Sequence, residues 1–80
     1  MYYVYILKDI KTGSLYKGLT RDLERRLFEH RNKESGFTAR GNHDYRLAWF
    51  CAFQNLDVAV SFEKYLKTGS GIAFTRKRLI

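Results

Sequence analysis

Eighty residues, with 15 Lys and Arg against 8 Asp and Glu, describe one small domain of formal charge +7, and its six Tyr, six Phe and one Trp can fill the dense core that a chain of this size needs. That apolar content excludes a disordered basic tail. No stretch is long enough to span a bilayer, the N-terminus enters a strand pattern at once where a signal peptide would show a leader, and the lone Cys51 excludes a disulfide framework or a cysteine metal cluster. A reducing cytosol is therefore the expected compartment. The positive excess attracts polyanions, nucleic acid first; an anionic membrane surface or plain solubility are the alternatives.

Residues 2–8 predict a strand apolar on both faces, with Tyr3, Tyr5 and Leu7 on one and Tyr2, Val4 and Ile6 on the other, and so interior to its sheet. Asp9 to Ser14 carry turn chemistry, with Gly13 free to take positive φ. Residues 15–20 return as the second strand of a hairpin. Thr20 reads as the N-cap of a helix over about 21–31, with Asp22 in its first turn and Leu23, Leu27 and Phe28 as its apolar side. Residues 32–45 are polar, contain Gly36 and Gly41, and read as a loop anchored by Phe37. Arg46 to Phe53 is a third strand, with Leu47, Trp49, Cys51 and Phe53 on one face and Ala48, Phe50 and Ala52 on the other. Asn55 or Asp57 caps a helix over about 57–67 with the core stripe Ala59, Phe62 and Leu66; Gly69 and Gly71 stop it. Residues 72–79 form a basic helical tail that makes contact through Phe74 and Leu79. The order β-β-α-β-α-α implies an α+β fold, a three-stranded antiparallel sheet flanked by helices.

Several side chains suit chemistry on a phosphodiester, and each also has an ordinary explanation. Tyr16 shares its face with Ser14, Gly18 and Thr20, and Gly18 removes bulk where a ligand can approach; Tyr5 and Tyr16 can equally be a cross-strand aromatic pair. Arg26 and His30 share one helix face, and the Arg26 fork suits phosphate oxygens. The competing arrangement is a solvated ladder, Asp22 with Arg26 and Arg25 with Glu29. Glu63 flanks the core stripe of the second helix. It pairs with a nearby cation or serves as the single protein carboxylate on a Mg²⁺ ion otherwise held by water and phosphate. Lys17 lies between Leu15 and Leu19 on an otherwise apolar face, as a guard on an edge strand or as a phosphate contact. His43 is an accessory phosphate contact or plain surface. There is no Ser/His/Asp set, no phosphate-cradling glycine loop and no zinc-ligand spacing.

Taken in order, these segments resemble the GIY-YIG nuclease superfamily, and in particular its small stand-alone bacterial members. Tyr3-Val4-Tyr5 stands where the first motif belongs and Tyr16-Lys17-Gly18 where the second does. The stretch Leu19 to His30 resembles the family's helix segment, Phe62 to Lys67 the segment carrying its glutamate, and Gly36-Phe37-Thr38 and Gly69-Ser70-Gly71 the small bacterial members. The likeness spans essentially the whole chain. It implies a concave site on the sheet and hydrolysis of DNA with one divalent metal, Mg²⁺ or Mn²⁺. By position, Tyr5 and Tyr16 are the implied site tyrosines, one of which helps to activate the attacking water. Arg26 stabilises the phosphoryl transition state, His30 assists proton transfer or contacts phosphate, and Glu63 holds the metal. Lys17, Arg25, Arg40, Arg76, Lys77 and Arg78 are the expected nucleic-acid contacts. The chain departs from the pattern at Tyr3, where the first motif has glycine, at Lys17, where the second has an apolar residue, and in lacking an Asn after Asn55.

Three functions follow as expectations. The first is a metal-dependent endonuclease, structure-directed or weakly selective, in DNA repair or recombination. The second is a binding module of nuclease fold with little cleavage, and the third a subunit that docks an acidic protein. DNA is the expected partner, with RNA as the alternative polyanion; no membrane is expected, and a homodimer or a protein partner is the expected source of specificity.

Overall fold

The computed structural model describes residues 1–32 and 43–80. It contains strands β1 (Tyr2–Asp9), β2 (Leu15–Thr20) and β3 (Tyr45–Phe53) and helices α1 (Leu23–Arg31), α2 (Leu56–Leu66) and α3 (Gly69–Phe74), followed by a π-helical turn over Thr75–Leu79. The sheet is antiparallel in the order β2-β1-β3, so the doubly apolar strand is central, as its pattern predicts. Val4, Tyr5, Ile6 and Leu7 are all buried.

Alternation along β1 assigns the two faces different work. Val4 and Ile6 form the core with Ala59 and Leu66 of α2, joined by Trp49, Cys51, Phe53, Phe62 and Leu79. Tyr3, Tyr5, Leu7 and Asp9 point the other way, toward the side on which α1 packs. Gly13 closes the β1–β2 turn at φ 81°, as its sequence context requires.

One strand departs from simple alternation. Ile6 pairs with Trp49 but Leu7 pairs with Leu47, so Ala48 is an extra residue in β3. The bulge separates Leu47 from Trp49, which the sequence pattern places on one face, and turns Leu47 and Tyr45 toward the face of Leu7 and Asp9.

The helix ends also differ from expectation. The N-cap of α1 is Asp22, whose carboxylate accepts from the Arg25 N–H at 3.1 Å. Thr20 still belongs to β2, and its hydroxyl takes the Asp22 N–H at 3.1 Å. Asn55 caps α2 through the N–H groups of Asp57 and Val58. Gly69 begins α3 where glycine was expected only to end α2, because Thr68 provides a fresh cap to the Gly71 N–H. Gly71 is required there: a Cβ would strike the Tyr65 carbonyl and the Leu66 backbone where α2 turns into α3. Gly36, Phe37 and Gly41 lie outside the described residues.

Candidate active site

Three consecutive elements bring Tyr5, Tyr16 and His30 together. The Tyr5 hydroxyl is 2.9 Å from His30 Nε2, and Tyr16 is close enough to raise its pKa. The Tyr16 ring lies 6.3 Å from Tyr5 and 5.1 Å from His30, centroid to centroid. Tyr5 pairs with Gly18 and Leu7 with Tyr16, so the two tyrosines meet diagonally across the ladder. Gly18 clears space for the Tyr5 phenol: a Cβ would collide with the ring and its hydroxyl. The space that the sequence offers to a ligand is thus filled by the protein itself, and it is what lets Tyr5 reach His30.

Burial differentiates the two phenols. Tyr5 is 1% exposed, and burial, reinforced by neighbouring Tyr16, pushes its pKa well above the ordinary tyrosine value. Tyr5 therefore stays a neutral phenol. Tyr16 is only half-buried and is the phenol open to a substrate. His30 is 5% exposed; burial and then the Arg26 charge lower its pKa, so it is a neutral imidazole at neutral pH.

Arg26 is close enough to perturb both Tyr5 and His30 electrostatically. Its Nε pairs with Glu29 at 3.2 Å, and Arg25 pairs with the same carboxylate at 3.4 Å. The expected Asp22–Arg26 pair gives way because Asp22 is engaged as the cap. A cavity of about 330 Å³ beside them is lined by Thr20, Arg21, Asp22, Arg25, Arg26 and Glu29. Its three guanidinium groups suit a phosphate.

Other expected residues lie elsewhere. α2 packs on the Val4–Ile6 face, so Glu63 comes from the opposite side of the sheet to the three rings, and its carboxylate pairs with Lys67 at 2.7 Å. Among the described residues no group of three or more His, Cys, Asp and Glu side chains is placed to hold a metal. One carboxylate fits an ion completed by water and substrate phosphate, and does not make a cage formed in advance. Lys17 guards the edge strand β2; burial and then the charges of Arg76 and Lys67 lower its pKa. Arg76, Lys77 and Arg78 are exposed on the π-helical turn. The nucleic-acid candidates thus divide, with Arg25 on the α1 side and Lys17 and Arg76 on the α2 side. Arg40 lies outside the described residues.

Two residues escaped the sequence reading. Asp9 has 0% exposure, and its carboxylate accepts from the Lys11 N–H at 3.0 Å, the Thr12 hydroxyl at 3.0 Å and the Asp44 N–H at 3.2 Å, besides contacting His43 at 2.8 Å. Its turn contacts are foreshadowed by Asp at the start of a turn-forming segment, but its partners from the distant loop have no local signal. Tyr45 reaches the site only through the bulge, with its ring 6.3 Å from Tyr16 and 5.2 Å from His43.

Comparison with known proteins gives the family. Residues 1–74 match the GIY-YIG catalytic domain. The chain is 43% identical to a UPF0213 protein of Clostridium perfringens over 67 residues, 84% of this chain and 71% of the relative. It is 31% identical to a UPF0213 protein of Vibrio campbellii over 77 residues, 96% of this chain and 70% of the relative. A solution NMR structure of a UPF0213 protein from Bacillus halodurans superposes with a TM-score of 0.60 at 30% identity, covering 99% of this chain and 87% of that one. No described helix is long and apolar enough to cross a membrane. With its motif tyrosines, arginine and histidine gathered on one sheet face and the family match running from residue 1 to 74, the chain belongs to the GIY-YIG catalytic domain family.

Proposed function

We propose that the protein is an endonuclease that hydrolyses phosphodiester bonds in DNA with the help of a divalent ion, in repair or recombination in the cytosol. The observation that carries this reading is the Tyr5–His30 hydrogen bond with the Tyr16 ring beside both partners, next to an arginine-lined cleft. With its Nδ1 protonated, His30 accepts from the Tyr5 hydroxyl at Nε2, and the relay has Tyr16 turn its own hydroxyl to the Tyr5 oxygen. Tyr16 meets the attacking water. As water loses a proton to the Tyr16 oxygen, Tyr16 passes its own to Tyr5 and Tyr5 passes its own to His30 Nε2. Each phenol gives one proton and gains one, and only the imidazole changes charge. A free phenol titrates near pH ~10 and is a weak base at neutral pH, whereas a neutral imidazole is well matched to that role. Arg26 offers fixed donors to the charge that develops on the phosphoryl oxygens.

Glu63 would hold Mg²⁺ or Mn²⁺, after release from Lys67, together with water and phosphate. A bound ion of this kind neutralises charge on the phosphate and on the leaving oxygen. α2, which carries Glu63, packs on β2 as well as β1, and Tyr16 stands on the other face of β2. For both to act on one phosphate, a strand of DNA laid across that edge would have to bring the scissile group between Tyr16 and Glu63.

Cleavage of labelled single-stranded, duplex, flap and branched DNA, with Mg²⁺, with Mn²⁺ and with chelator, tests the reading. The expected result is ion-dependent cutting that disappears in Glu63→Ala while DNA binding survives. Salt-sensitive binding without products on any substrate would overturn it in favour of a binding module.

A further inference from the structure

A second imidazole sits on the same face, beyond Tyr16 and away from Tyr5. His43 Nδ1 lies 2.8 Å from Asp9 Oδ2, with 32% of the His43 side chain exposed and none of Asp9. Four donors hold the Asp9 carboxylate ionised, well below the usual carboxylate range, with His43 the strongest influence. An ionised acceptor fixes the proton of His43 on Nδ1 and leaves Nε2 as the ring nitrogen turned outward. Tyr45 stacks beside the ring at 5.2 Å and connects it to Tyr16.

The imidazole lines a cavity of about 390 Å³ with Arg31, Asp44, Tyr45 and Arg46. Arg46 is already held in a two-point pair by Asp44, at 2.9 and 3.2 Å, so the charges of those two residues compensate each other. Arg31 follows His30 at the end of α1 and also lines, with His30 and Tyr45, the small cavity between α1 and β3. The His43 cavity is therefore joined to the Tyr5–Tyr16–His30 cluster by shared walls.

We infer that the Asp9–His43 dyad and Arg31 form a second phosphate-binding position, which grips a nucleic-acid backbone phosphodiester along the strand from the one being cut. With Nδ1 turned to the buried Asp9 carboxylate, the charged form of the ring can donate from Nε2 to a phosphate oxygen, the Arg31 guanidinium adds a second donor, and Tyr45 offers a face on which a base can stack. Among the described residues the charged and titratable groups around His43 are Asp9, Asp44, Arg31, Arg46 and Tyr45, with Lys11 in the adjoining turn and Tyr16 beyond Tyr45. This inference rests on the nucleic-acid reading above and adds to it a position that the cleavage step does not use.

The chain has two histidines, so imidazole ¹⁵N spectra resolve both, and His30 serves as an internal control. The full chain is titrated, in chelator so that nothing is cut, with a short single-stranded deoxyoligonucleotide and separately with inorganic phosphate. The expected result is a shift of His43 Nε2 with oligonucleotide at concentrations where inorganic phosphate produces little. His43→Asn tests the contact without breaking the dyad, since the Asn amide can replace Nδ1–H toward Asp9 but has nothing at the Nε2 position. It should keep the wild-type melting temperature, weaken oligonucleotide binding about 3- to 10-fold and reduce the salt slope of binding by about 1. Should that variant fail to fold, the exposed Arg31→Gln is expected to show the same weakening. Oligonucleotide binding with His43 Nε2 unmoved, or unchanged in the variants, would overturn this inference and leave the nuclease reading standing. An equal response to inorganic phosphate would make the ligand a free anion and overturn the backbone assignment. Absence of any oligonucleotide binding would overturn both.

Discussion

Val4 and Ile6 on β1 enter an aliphatic and aromatic core under α2, while Tyr5 and Asp9 on the same strand are just as inaccessible but are surrounded by hydroxyl, imidazole and carboxylate groups. The first face gains its stability from burial of apolar area. The second contains buried polar groups that hold only while each partner stays in place; every fully buried described side-chain polar atom there has one. One central strand thus serves an apolar face that holds the fold and a polar face that carries the proposed site, and substitutions should separate along it.

The largest separation is expected at Tyr16. Tyr16→Phe keeps a half-buried ring and removes the hydroxyl proposed to meet the attacking water; cleavage should fall by about 10²- to 10⁴-fold with little change in melting temperature, as read by parallel kinetic and thermal measurements. Leu66→Ala on the other face should do the reverse. It should cost about 2–5 kcal/mol in denaturant unfolding and leave the rate per folded molecule near that of the wild type. Gly18→Ala breaks the separation, because the new methyl collides with Tyr5: about 1–3 kcal/mol of stability and most of the cleavage should be lost together.

The pH response sharpens the same contrast. His30 titrates lower in the folded chain than its ordinary value of 6.5 because it is buried beside Arg26. Its contribution to stability is complete above that value and is lost as pH falls toward the folded pKa, since the unfolded chain takes up the proton first. The depressed Asp9 works in the same direction at lower pH, with stability present above the unfolded carboxylate pKa and lost as pH falls through the folded one. Unfolding curves between about pH 7 and 5 should therefore be flatter for His30→Gln than for the wild type. The smallest effect is expected at Arg25, whose pair with Glu29 leaves its side chain 76% exposed. Arg25→Ala should change stability by about 0–0.5 kcal/mol, while Arg26→Ala should slow cleavage without altering the fold.

The apolar residues on both faces of Tyr2 to Leu7 were enough to make β1 central, and the spacing of Arg26 and His30 enough to put them on one helix face. Elements that depend on local chemistry were thus readable, as was the α2 stripe of Ala59, Phe62 and Leu66. The Ala48 bulge was not, because an inserted residue leaves a strand with the same composition while reversing the facing of Leu47 and Tyr45. The α3 start at Gly69 was hidden for a related reason: glycine at a helix end and glycine chosen for close contact, as at Gly71 against Tyr65, look alike in a sequence. The Asp9–His43 contact joins residues 34 positions apart, from two segments that both read as turn or loop, and no periodicity relates them.

The most direct test of the two-faced strand compares Tyr16→Phe with Ile6→Val, each measured for cleavage of a preferred DNA substrate and for thermal unfolding beside the wild type. The expected outcome is opposite losses: Tyr16→Phe melts like the wild type but does not cut, while Ile6→Val loses about 0.5–1.5 kcal/mol and cuts normally per folded molecule. Cutting by Tyr16→Phe at the wild-type rate would contradict the account, because the face built around that hydroxyl would then not be where the chemistry occurs.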